Sequence, residues 1–171
     1  RIFCNPGKDK ALTFTPTYGM YEVSAEINDV ELIKIPLTTD FQIDFDALEN
    51  HLGDETLKLI FICSPNNPTA NNLDNIETVL QKFNGIVIVD EAYIDFSTSG
   101  SFLYKIEQYP NLIVMQTFSK AWGLAAARVG MAYSNELIIS HYNKVKPPYN
   151  VSAPNQKAAL TYPSEQRDNL F

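Results

Sequence analysis

Lys120 follows the apolar run Leu112–Thr117 after only Phe118 and Ser119, a place where a solvated surface lysine is hard to explain. An amine buried there near other cationic groups would lose proton affinity and become a nucleophile toward a carbonyl carbon. It could form a Schiff base and later act as a general base. Asp90 ends the apolar run 86–89, where an ionised carboxylate is costly unless a cation pairs with it, and a protonated ring nitrogen is such a cation. Tyr93 and Asn67 carry a phenol and an amide that could both reach a phenolic oxygen on the same ring, and Tyr18 carries a ring that could stack on it. Ser119 and Arg128 suit a phosphate, the hydroxyl through one hydrogen bond and the guanidinium through a charge-assisted fork. These are the contributions each would make if one crevice held an aromatic, phosphorylated aldehyde. Each also has a plainer role: a capping aspartate, a half-buried tyrosine, a turn asparagine, a loop serine, a strand-edge ion pair. What favours the chemical reading is that all but Arg128, which opens the run 128–133, sit just beyond apolar runs.

Those runs must position them. Short apolar segments at 11–14, 30–36, 57–63, 86–89, 112–117 and 128–133 alternate with helical patterns at about 18–27, 73–83 and 135–145. The run at 86–89 lacks polar alternation, as expected of strands covered on both faces in a parallel sheet. Only residues 118–127 separate the last two strands, too few for a parallel crossover, so the strand at 128–133 should run antiparallel. The spacing predicts an α/β domain: a mostly parallel sheet with one antiparallel strand and helices on both faces. In such sheets ligands collect beyond the carboxyl ends of the strands. The polar segments at 15–21, 64–69, 90–93 and 118–120 should therefore line one crevice.

The rest of the composition excludes more than it assigns. Thirteen basic against twenty acidic residues give a net charge of −7, which disfavours binding to nucleic acid. The two cysteines, Cys4 and Cys63, lack partners at metal-ligand spacing and make no disulfide framework, so no metal is expected and a reducing cytoplasm fits. No apolar run is long enough for a membrane span. No G-x-G-x-x-G follows any strand, which weighs against a nucleotide-binding Rossmann domain. Both ends are abrupt, so the sequence reads as an excerpt.

Four strings carry a family resemblance: Thr15-Pro16-Thr17-Tyr18-Gly19-Met20-Tyr21, Cys63-Ser64-Pro65-Asn66-Asn67-Pro68-Thr69, Val89-Asp90-Glu91-Ala92-Tyr93-Ile94-Asp95-Phe96 and Thr117-Phe118-Ser119-Lys120-Ala121-Trp122-Gly123-Leu124. In order and spacing they resemble the fold-type-I pyridoxal-phosphate (PLP) aminotransferases, most closely the histidinol-phosphate aminotransferase group. The resemblance implies that Lys120 is the Schiff-base lysine, Asp90 the pyridinium partner and Tyr18 the ring-stacking residue. It further implies Asn67 and Tyr93 as partners of the phenolic oxygen, and Ser119 and Arg128 as phosphate ligands. The implied reaction exchanges an amino group between an amino acid and a keto acid or keto phosphate, here glutamate and imidazole-acetol phosphate in histidine biosynthesis, in a homodimer. Residues 1–171 would be the PLP-binding large domain, with the amino-terminal arm and the carboxyl-terminal small domain outside the excerpt. Related enzymes of this fold decarboxylate amino-acid phosphates with the same lysine, aspartate and tyrosine, and a non-catalytic PLP-binding fragment is a further alternative. Two departures stand out: Ala70 and Ala126 occupy positions where the family usually has glycine. Alanine would strain either loop by roughly 1–2 kcal/mol if a positive φ is required there.

Overall fold

A computed structural model describes residues 1–161. Six strands form one sheet: β1 (Lys10–Thr15), β2 (Glu31–Pro36), β3 (Leu57–Cys63), β4 (Ile86–Asp90), β5 (Leu112–Thr117) and β6 (Gly130–Tyr133), in the order β2-β1-β3-β4-β5-β6. All neighbouring pairs are parallel except β5 and β6, as the short connection predicted. The antiparallel strand begins later than expected. Arg128 is in the left-handed region, with φ 52°, at the end of a 3-10 turn over Ala125–Ala127, so it belongs to the turn that aims β6 and not to the ladder.

Alternating side chains feed two cores. On one face Leu12, Ile60, Ile62, Val87, Val89, Leu112 and Val114 pack with Leu48 of α2 (Phe45–Leu52) and with Ile76, Val79 and Leu80 of α3 (Ile76–Lys82). On the other, Ala11, Leu59, Ile88 and Ile113 pack with Ile138 of α4 (Glu136–Val145). The first helix, α1 (Met20–Ile27), lies on this second face and buries Tyr21 and Ala25. A further helix, α5, covers Ala153–Thr161.

Helix starts follow local chemistry. Asp44 accepts a hydrogen bond from the Ala47 N–H at 2.9 Å and begins α2, while Asn135 does the same for Ile138 at 3.0 Å and begins α4. Asn75, at φ 56°, turns the chain immediately before α3, which therefore starts at Ile76 and not at Leu73. Because β1, β3, β4 and β5 are adjacent and parallel, their carboxyl ends open on the same edge of the sheet. Cys63, Asp90 and Met115 stand side by side there.

Candidate active site

Along this edge the loops after β1, β3, β4 and β5 enclose a cavity of about 450 Å³, well within the range of small-molecule sites. All seven side chains singled out from the sequence line it: Tyr18, Asn67, Asp90, Tyr93, Ser119, Lys120 and Arg128. A neighbouring cavity of about 600 Å³ shares Asn67 and Tyr93 with it and extends to Phe96 and Ser97.

Asp90 is the buried acid of the site, at 8% exposure. Its Oδ2 accepts the Tyr21 hydroxyl at 2.7 Å, and its Oδ1 accepts the Ala92 N–H at 3.0 Å. Burial pushes its pKa above the usual aspartate value; the two hydrogen bonds and the Lys120 charge pull the other way. Burial likewise raises the Cys63 thiol, which stands beside Asp90.

Lys120 departs from the expectation. It is exposed, with Nζ 5.0 Å from the centroid of the Tyr93 ring, and the Tyr93 phenol beside it holds its pKa above the usual lysine value. Burial is too slight to lower it, so in this state the group is an ammonium. Its position is nevertheless well fixed. The Gly123 N–H donates to the Lys120 carbonyl at 3.0 Å, and the Leu124 N–H donates to the Phe118 carbonyl at 2.9 Å, closing a tight turn at the end of β5. Ser119 is held from below, its N–H donating to the Thr117 hydroxyl at 3.1 Å and its own hydroxyl lying 3.0 Å from the same oxygen. Arg128 donates through Nη1 to the Ala125 carbonyl at 3.1 Å, leaving the rest of the guanidinium fork for the cavity.

The loop after β3 is organised by Asn66. Buried to 3% exposure, it donates to the Pro16 carbonyl at 2.9 Å and to the Thr69 hydroxyl at 2.8 Å, and accepts from the Thr17 hydroxyl at 3.0 Å. That ties the loops after β1 and β3 together and presents the half-buried Asn67 to the cavity. Ala70 sits at φ 61°, in the left-handed region, so strain falls on it as anticipated. Ala126 lies within the Ala125–Ala127 turn and is not among the positive-φ residues; Arg128 is. Among the described residues no cluster of three or more His, Cys, Asp or Glu could hold a metal ion, and no helix is long and apolar enough to cross a membrane.

Residues 1–169 match the family model for class I and II aminotransferases. The chain belongs to that family. Similar aminotransferase-family proteins include a histidinol-phosphate aminotransferase of Cytophaga hutchinsonii, 54% identical over 94% of this chain and 46% of its own length. Another, of Bacteroides fragilis strain YCH46, is 52% identical over 94% of this chain and 47% of its own length. The chain thus spans about half the length of the curated relatives it matches. In fold it resembles the crystal structure of a histidinol-phosphate aminotransferase from Sinorhizobium meliloti in complex with pyridoxal-5'-phosphate. The TM-score is 0.85 and the identity 22%, over 96% of this chain and 47% of that one.

Within this aminotransferase-family site the sequence reading overlooked Tyr21. It belongs to one of the strings that carry the resemblance, yet only Tyr18 was singled out there. The available signal was its spacing, about one helical turn beyond Tyr18 on a predicted helix: a tyrosine buried in that way must find a partner for its hydroxyl.

Proposed function

We propose that residues 1–171 form the cofactor-binding large domain of a PLP-dependent aminotransferase acting on histidinol phosphate and 2-oxoglutarate, giving imidazole-acetol phosphate and glutamate. One observation carries this reading: an amine, a carboxylate, a guanidinium, a hydroxyl, an amide and two phenols from four separate loops line one cavity. The names of the relatives at 52–54% identity support histidinol phosphate as the amino substrate.

The donor set suits PLP group by group. Asp90, an acid buried among fixed donors, is suited to pair with the pyridine nitrogen, and Tyr18 to cover a ring face. Asn67 and Tyr93 would hydrogen-bond the phenolic oxygen, and Ser119 and Arg128 would hold the phosphate. When bound, PLP supplies an electron sink that eases removal of a proton from the carbon bearing the amino group. Lys120 Nζ would hold the cofactor's aldehyde covalently, and as a free amine it would take that proton and return it. To serve as anchor it must first lose its own proton, and the Tyr93 phenol is the neighbour that governs that loss. The working enzyme is a cytoplasmic homodimer whose partners are small amino acids and keto acids.

The test uses the full-length protein. Incubated with PLP it should develop the visible absorbance of a lysine-bound pyridoxal, and borohydride should fix a pyridoxyl group on Lys120, read by peptide mass spectrometry. Supplied with histidinol phosphate and 2-oxoglutarate it should form glutamate, whereas Lys120→Ala should do neither. Release of carbon dioxide from an amino-acid phosphate, without glutamate formation, would identify a decarboxylase instead.

A further inference from the structure

Tyr21 has a hydroxyl that the chemistry above does not use. The residue is buried to 5% exposure, and its ring lies parallel to that of Phe61 on β3, 4.8 Å between centroids at 10°. The Tyr18 ring packs edge-on against it, with centroids 5.7 Å apart. Packed against these two rings, Tyr21 places its hydroxyl 2.7 Å from Asp90 Oδ2. The opposite oxygen is fixed by the Ala92 N–H. Two donors on two different oxygens lock the carboxylate plane, and each oxygen keeps a lone pair that can still accept from a ligand.

We infer that Tyr21 is a positioning residue for Asp90: its hydroxyl holds the carboxylate ionised and aimed, and so determines whether the pyridine nitrogen keeps its proton. The inference rests on the proposed pairing of Asp90 with that nitrogen. A proton shared between carboxylate and pyridine goes to whichever group binds it more tightly. Burial strengthens the hold of Asp90, and a hydroxyl donating to Oδ2 weakens it by stabilising the anion. The other titratable groups facing Asp90 are the Cys63 thiol from β3 and the Lys120 amine from the turn after β5. Lys120 is committed to the aldehyde once the cofactor is bound, which leaves the Tyr21 hydroxyl and the Ala92 N–H as the neutral donors whose effect persists, and of these only Tyr21 acts through a side chain. Burial and the Asp90 charge keep its own hydroxyl protonated far above the ordinary tyrosine range, so it donates throughout the working pH range.

Full-length holoenzyme loaded with PLP carrying nitrogen-15 in the ring gives a direct reading of the proton. In Tyr21→Phe, which keeps the ring and removes only the hydroxyl, the nitrogen resonance should move toward its unprotonated value. kcat should fall about tenfold or more, with a smaller change in KM. Fluorotyrosine incorporated at position 21, a stronger donor of nearly the same shape, should move the resonance the opposite way. It also supplies a reading if the phenylalanine variant folds poorly. An unchanged resonance in both variants, with Asp90→Asn shifting it, overturns the role of Tyr21 and leaves the cofactor assignment standing. An unchanged resonance in Asp90→Asn, or a wild-type protein that takes up no PLP, overturns the cofactor assignment and this inference with it.

Discussion

At the scale of single residues, the state of Lys120 makes a kinetic prediction. The Tyr93 phenol holds its pKa above the usual lysine value, so at neutral pH the free amine is scarce and its fraction rises about tenfold per pH unit. The rate of PLP capture should climb steeply with pH, and in Tyr93→Phe the whole profile should move to lower pH; stopped-flow absorbance checks both. Ala70 makes a second. At φ 61° the Cβ is strained, so Ala70→Gly should stabilise the protein by about 1 kcal/mol in urea unfolding, against the usual direction for a glycine substitution. Lys120 and Asp90 were legible because their side chains are out of place beside apolar runs. The exposure of Lys120 was not, because burial depends on how far the turn over residues 118–124 projects beyond the sheet. The Tyr21 to Asp90 bond was equally hidden, since it exists only once α1 lies over β3 and β4.

At the scale of elements, the strand ends do the positioning, and Glu91 shows how. One residue beyond Asp90 it is almost fully buried, at 1% exposure, with its carboxylate accepting the Ser101 hydroxyl and the Phe102 N–H at 2.6 Å each and the Gln116 amide at 2.9 Å. It therefore binds the end of β4 to β5 and to the loop around Phe102. Glu91→Ala should leave those donors without partners and cost about 2–3 kcal/mol or more, measured as a fall in the urea midpoint. The sheet itself was legible from the apolar runs, and the direction of β6 from the short span before it. The helix α2 escaped notice because its apolar pattern is brief, although Asp44 three residues before Ala47 was a cap signal open to reading. Asp44→Ala should lower stability by about 1 kcal/mol without touching the cavity. Two extra residues were assigned to β6 because nothing in Arg128 itself announces a left-handed backbone.

At the scale of the whole molecule, function and stability pull against each other at Asp90. Its pKa in the fold is raised, so its contribution to stability is fully present below the unfolded-state value and is lost as pH rises through the folded value. Asp54, bonded to Thr56 and Lys10, has the opposite sign: its pKa is depressed, so its contribution is present above the unfolded value and lost as pH falls through the folded one. Asp90→Asn should therefore raise the melting temperature of the unloaded protein by a few degrees at neutral pH, an advantage that shrinks in acid, while lowering the activity of the PLP-loaded enzyme. Differential scanning fluorimetry across pH reads both trends. The strand order has a consequence at the borders of the sheet. Among the described residues β2 and β6 are its outermost strands: one carries Glu31 and Lys34 and finishes at Pro36, and the other is only four residues long. A stray chain seeking to extend the sheet meets charge and a missing amide donor on one side and a ladder too brief to hold it on the other. Both borders of the described sheet thus carry features that discourage amyloid-like stacking.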